Sequence, residues 1–196
     1  MKKSILNNIK QIFLIVFSVV LGLFLNERIE ESKNEKEAGK LLSKIKSEVK
    51  DNKKLIEYWL PYHKKIAKKL DSLNDNESFI EGFIEDESIL YKKVLTSGTF
   101  MSDMPSEDAW DIAKSHPLIV NFDYEELLIL SRVYTQQKMT FDPVSKISEI
   151  FLSPDINSTE NARKNLHIFK NQMREIVSRE SQLLEYYTKA AEILKL

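Results

Sequence analysis

Apolar and polar positions follow three different rhythms along this chain. From Ile12 to Leu25, fourteen consecutive residues carry no charge, in the run Ile12-Phe13-Leu14-Ile15-Val16-Phe17-Ser18-Val19-Val20-Leu21-Gly22-Leu23-Phe24-Leu25. As a helix this run spans about 21 Å, and counted from Ile5 about 31 Å, close to the roughly 30 Å hydrocarbon core of a bilayer. Lys10 then reaches the headgroups along its own aliphatic stem. Beyond Asn26 the rhythm changes. Apolar residues recur at steps of three or four through Ala38, Leu41, Leu42, Ile45, Val49, Ile56, Trp59, Leu60, Ile66, Ala67, Leu70 and Leu73, with His63 on the same stripe and lysines filling the other faces. This pattern predicts one long helix continuing directly from the apolar run. Pro61 removes one backbone donor inside it and predicts a kink or short break near Glu57–Pro61.

The third rhythm is shorter. Residues 73–77 read as a loop, Glu87–Leu95 as a short helix and Thr96-Ser97-Gly98-Thr99 as a turn. Ser106 is placed to cap a helix through Ala109, Trp110 and Ala113, which Pro117 ends, and Trp110 is expected in the core against Tyr134. Asp123 opens a helix from Tyr124 to about Lys138, and Asp142-Pro143 opens a separate one through Ile147 and Phe151 that Pro154 closes. Ser158 or Thr159 caps a final helix of some 36 residues, with the stripe Ala162, Leu166, Phe169, Met173, Ile176, Val177, Leu183, Leu184, Tyr187, Ala190, Ala191 and Leu194. Two long amphipathic helices favour antiparallel pairing, with Leu41, Leu42, Ile45 and Val49 facing Leu183, Leu184 and Tyr187. The expected fold is therefore all-α. An N-terminal transmembrane helix runs into a long stalk helix, antiparallel to a long C-terminal helix, with short capping helices between. The expected division is a membrane anchor over 1–28 and a helical soluble domain over 29–196.

Composition agrees with few, long helices: the chain has 196 residues, four glycines and five prolines. It has no cysteine, which excludes disulfides, thiolate metal sites and cysteine nucleophiles. The net charge of −1 is unevenly laid out, with 16 Lys+Arg against 9 Asp+Glu over 1–73, 6 against 17 over 74–160, and 7 against 4 over 161–196. Basic ends and an acidic middle are expected to attract one another within the fold.

Candidate chemistry is sparse. No Gly-rich phosphate loop, HExxH or GxSxG occurs. His63, His116 and His167 fall in separate elements and read as packed or surface imidazoles. Glu125 and Glu126 are adjacent, so on a helix they point apart. The lysines at 44, 46, 50, 53 and 54 and at 64, 65, 68 and 69 are interleaved with Glu48, Asp51 and Glu57, which reads as a solvated face with no nucleic-acid partner. Ser18 and Gly22, four apart in the apolar run, form a small-xxx-small pair suited to membrane-helix contact. No catalytic, cofactor-binding or metal residue is expected, and the chain does not read as an enzyme.

A resemblance adds to this reading. The run Phe13 to Gly22 followed by Asn26-Glu27-Arg28, then Ala109-Trp110-Asp111-Ile112-Ala113-Lys114-Ser115, and Leu130-Ser131-Arg132-Val133-Tyr134-Thr135-Gln136-Gln137, is similar to an uncharacterised family of bacterial single-pass membrane proteins. These have a long charged helix after the anchor and an Ala-Trp helix motif. His116-Pro117 departs from the family's small-residue turn. The resemblance implies a single-pass topology and a helical domain, and no activity.

The expectation is thus a membrane-anchored interaction or scaffold protein, as a subunit of a membrane complex. The rival is an extracytoplasmic small-molecule-sensing helical bundle acting through a membrane partner. Expected partners are the lipid bilayer and either a second copy or another membrane protein. The expected location is the bacterial inner membrane. Lys2, Lys3 and Lys10 before the run are nearly matched by Arg28, Lys33, Lys36 and Lys40 after it. Short lysine-bearing N-termini usually stay in the cytoplasm and long following domains translocate largely regardless of charge, so the soluble domain is expected outside. A cleaved signal peptide fits less well, because small residues suited to a cut are poorly placed after the apolar core.

Overall fold

In the computed structural model, which describes residues 2–86, 88–153, 156 and 158–196 (backbone alone for 2–9 and 159), every regular element is helical. Helix α1 covers Lys2–Leu73, α2 Glu77–Glu85, α3 Ile89–Lys93 and α4 Asp108–Ser115. A 3-10 turn follows at Pro117–Asn121, then α5 at Tyr124–Leu152 and α6 at Thr159–Leu194. The antiparallel pairing of the two long terminal helices stands, but its register differs from the expected one. His63 meets Glu180 and Asp71 meets Arg174, which sets Ile56 opposite Tyr187 and Val49 opposite Leu194. Leu41, Leu42 and Ile45 therefore do not face Leu183, Leu184 and Tyr187, although they line the same core. The expected 1–28 anchor boundary lies inside the unbroken α1, whose 72 residues make a rod of about 108 Å.

Two expected breaks are absent. Pro61 lies within α1. It and Glu57, whose carbonyl it leaves without a helical donor, are both solvent-exposed, so water can satisfy that acceptor, while buried Leu60 and His63 hold the helix on either side. Pro143 does not open a new helix but sits buried inside the 29-residue α5. Its ring removes the donor for the carbonyl of Met139, and the Arg179 guanidinium on α6 donates to that oxygen at 2.9 Å. A tertiary contact thus replaces the missing backbone bond. The bundle consequently has three long helices, α1, α5 and α6. The expected role of Pro154 lies outside the described residues, as does Glu87 of the expected 87–95 helix.

Local caps explain the other boundaries. The Ser158 hydroxyl accepts from the Asn161 amide at 3.2 Å and caps α6, settling the choice between Ser158 and Thr159. Asn76 caps α2 by accepting from the Phe79 amide; α2 falls where the sequence showed no clear element. Gly98, at φ +72°, makes the turn that follows α3.

The buried side chains form two apolar clusters along the bundle. One lies near the exit of the apolar run and joins Ala38, Ile45, Val49 and Ile56 of α1 to Trp110, Phe122, Leu130, Val133, Leu183, Tyr187 and Leu194. The far cluster joins Ile66 and Leu70 to Phe79, Phe83, Leu90, Ile147, Leu166, Phe169, Met173 and Ile176. Helix α4 and the 3-10 turn close the near end, and α2 and α3 close the far end.

Candidate functional site

Between those clusters the seam turns polar. Along α6 the buried positions 162, 166, 169, 173, 176, 180, 183, 187, 190 and 194 step by four and three without a break, and Glu180 is the one ionisable carboxylate among them. On α1 the matching series contains Asn52 and His63. Sequence reasoning passed over Asn52 and Glu180 because it tracked apolar residues. The available signal was a heptad slot filled by a polar residue.

His63 and Glu180 face one another with both side chains fully buried. Nδ1 of His63 lies 2.8 and 2.9 Å from the two carboxyl oxygens, and Nε2 lies 3.1 Å from the Phe100 carbonyl. A carbonyl only accepts, so Nε2 carries a hydrogen, and one further proton is shared between Nδ1 and the carboxyl. The pair is net neutral with the proton on either side. Phe100 stacks on the imidazole at 4.4 Å and Trp59 on its other flank at 5.9 Å. Enclosed in this way, the pair acts as a register lock. Sliding α6 by one heptad separates Glu180 from His63 and leaves each buried polar group without this partner.

A second network lies nearer the apolar run. The Glu48 carboxylate accepts from the amides of Ala109 (2.8 Å) and Trp110 (3.3 Å), from the Ser106 hydroxyl (2.8 Å) and from the Tyr134 hydroxyl (2.5 Å). It therefore caps α4 from a different helix, where the negative charge also suits the helix N-terminus. Ser106, the expected cap, sits one residue before the cap position; its hydroxyl accepts from the Asp108 amide and donates to Glu48. Asn52, one turn further along α1, pairs with the backbone of Ser106 in both directions, at 2.6 and 2.9 Å. Gln137 donates to the Pro105 and Ser106 carbonyls and accepts from Asn52 and from the Tyr187 hydroxyl. Burial, then the bond to Glu48, pushes the Tyr134 hydroxyl far above the usual tyrosine range. Burial, then the Glu48 charge, does the same to Tyr187. Trp110 stacks on Tyr134 with centroids 5.4 Å apart, as the sequence suggested. The arrangement pins the segment before α4 onto α1 and α5, and Tyr187 of α6 joins it through Gln137.

The remaining sequence candidates are dispersed. His116 accepts from the Leu118 amide and starts the 3-10 turn. His167 is exposed beside Asn171. Glu126 pairs with Lys46 at 3.9 Å while Glu125 faces solvent. Arg163 on the basic C-terminal helix binds Glu77 in the acidic middle at 2.6 Å. Most of the α1 lysines singled out in the sequence are exposed, with Lys46 and Lys53 half-buried in ion pairs. Ser18 and Gly22 lie on the exposed apolar run. The Ser18 hydroxyl bonds back to the Leu14 carbonyl at 2.8 Å, and nothing among the described residues lies within 4 Å of a Cβ built on Gly22.

The molecule is thus an all-helical bundle whose first helix is long and apolar enough, by length and composition, to cross a membrane. No protein family, curated protein or solved structure matches the chain.

Proposed function

We propose that this chain is a single-pass membrane-anchored interaction protein, a scaffold or subunit of a membrane complex whose helical arm stands outside the cytoplasmic membrane. The observation that carries the reading is the state of α1. Its apolar stretch is bare on every face, with Phe13 68% and Leu23 66% exposed and none of its most apolar 18-residue window buried. The same helix then runs without a break into a fully packed seam. A soluble chain does not tolerate such an uncovered surface, whereas hydrocarbon covers it without further contacts. Lys2, Lys3 and Lys10 precede the stretch and favour a cytoplasmic N-terminus. The single-pass topology implied by the resemblance to uncharacterised bacterial membrane proteins points the same way and adds no activity.

Packing supports a docking arm over a ligand-sensing bundle. A partly open apolar cleft lined by Phe83, Leu90, Phe151 and Phe169 has room for only about 10 Å³, at the lower limit for one water. Among the described residues, the clefts of about 640 Å³ between Gln136, Arg174 and Gln182 and of about 440 Å³ between Tyr62, Lys69 and Val94 are open at the surface. The test is alkaline carbonate washing of membranes, then mild detergent extraction of the intact chain with sizing of the extracted particle. The reading expects retention in the pellet and a particle larger than one chain. A soluble chain beginning near Leu23 sinks the anchor, and a monomeric particle sinks the complex.

A further inference from the structure

Resting on the anchor reading, we propose that the 3-10 turn Pro117–Asn121 is a second membrane contact, seating Val120 in the lipid headgroup layer of the leaflet that α1 leaves. The turn faces in two directions. Leu118, Ile119 and the following Phe122 pack into the near core, and the His116 ring caps the turn. Val120 is held outward and is 80% exposed, among the most exposed large apolar side chains in the protein. Tyr124, just beyond, is 73% exposed and has the amphipathic ring that membrane interfaces favour.

The height of the turn argues for lipid. Asn121 shares a cleft of about 270 Å³ with Glu27, Glu30, Glu31 and Asn34 of α1. Those positions lie two to nine residues past Leu25, which on a helix is about 3 to 14 Å above the end of the apolar run. The headgroup layer occupies roughly 5–7 Å of that distance on each side of the hydrocarbon. A tilt of about 20°, ordinary for a membrane helix, lowers whichever side it leans toward. Because Val120 is tethered to the anchor, its insertion is an intramolecular event and needs little intrinsic affinity. The three glutamates in the cleft disfavour anionic lipid, so the occupant is a zwitterionic phospholipid surface. The contact fixes the tilt and rotation of the arm, which one spanning helix leaves free.

The chain has no cysteine, so single labels are unambiguous. The full chain is reconstituted in phosphatidylcholine vesicles with a fluorophore at Val16→Cys, Val120→Cys or Glu81→Cys. Each is challenged with lipids carrying a nitroxide near the headgroup or deep in the acyl chain. The expected result is loss of fluorescence at Val120 with the shallow quencher and little with the deep one, quenching at Val16 and none at Glu81. A quenched Val16 beside an unquenched Val120 overturns the second contact and leaves the anchor standing. An unquenched Val16 removes the anchor and the contact together.

Discussion

Arg179 donates from Nη1 to the carbonyl of Met139 at 2.9 Å, and Met139 is the residue whose helical donor Pro143 eliminates. Arg179 is itself held by Glu175, at 2.7 and 2.9 Å. The contact stands in for one backbone hydrogen bond across two helices. Arg179→Ala is expected to destabilise the parent by about 1–2 kcal/mol, since the bond has a charged donor but is partly solvated. In a Pro143→Ala background the substitution restores a backbone amide that can bond to the Met139 carbonyl, and there the same change should cost clearly less. Thermal melts of the four chains in lipid nanodiscs, read as a double-mutant cycle, check this. Additive effects would show that the two sites are uncoupled.

The His63–Glu180 pair should behave as a buried lock. Glu180→Ala or His63→Ala leaves a fully buried polar partner alone and is expected to cost about 3–5 kcal/mol. Replacing both by leucine should recover most of that loss, because an apolar seam of similar volume needs no desolvation. The double variant should also show weaker helix register. That can be followed by disulfide trapping between cysteines introduced at Ile56 and Tyr187, which fall opposite one another in the antiparallel register set by His63–Glu180 and Asp71–Arg174. A double variant as unstable as the singles would argue against this account.

Tyr134 and Tyr187 predict how the protein responds to alkali. Burial, before any other cause, raises both hydroxyls above their ordinary value of 10.0. Near pH 10 the unfolded chain begins to lose these protons while the folded chain keeps them. Below that point the two groups add no pH dependence. Above it each removes about 1.4 kcal/mol of stability per pH unit until its folded form also ionises. Denaturant midpoints measured from about pH 8 to about pH 11.5 should stay level with respect to these groups and then fall. Tyr187→Phe should fall less steeply. An unchanged slope would mean that Tyr187 ionises normally in the fold.

The Ser18–Gly22 face makes a narrower prediction. No described residue of the chain occupies the space beside Gly22, so a close partner there would have to come from another helix. If two copies meet on that face, Gly22→Ile lowers cross-linked dimer in intact membranes and Leu21→Ile does not. Equal cross-linking by Gly22→Ile and the parent removes the face from the argument.

The sequence by itself determined the helical class, the apolar run, the two long amphipathic stripes and their pairing. Each is written in local periodicity, where one residue type recurs every three or four positions. It also placed Trp110 against Tyr134, because an aromatic on a short amphipathic helix has few other places to go. The tertiary structure decided what periodicity does not encode. Pro143 reads as a helix start until Arg179, thirty-six positions away, supplies the missing donor. Ser106 reads as the cap of α4 until Glu48 arrives from α1 to bind the helix's first amides. Asn52, His63 and Glu180 are polar residues in apolar slots, and their meaning lies in partners that only the folded chain brings within about 3 Å. Hydrogen bonds satisfy buried polar groups across any sequence distance. Hydrophobic stripes leave a local signature, and such distant partners leave none.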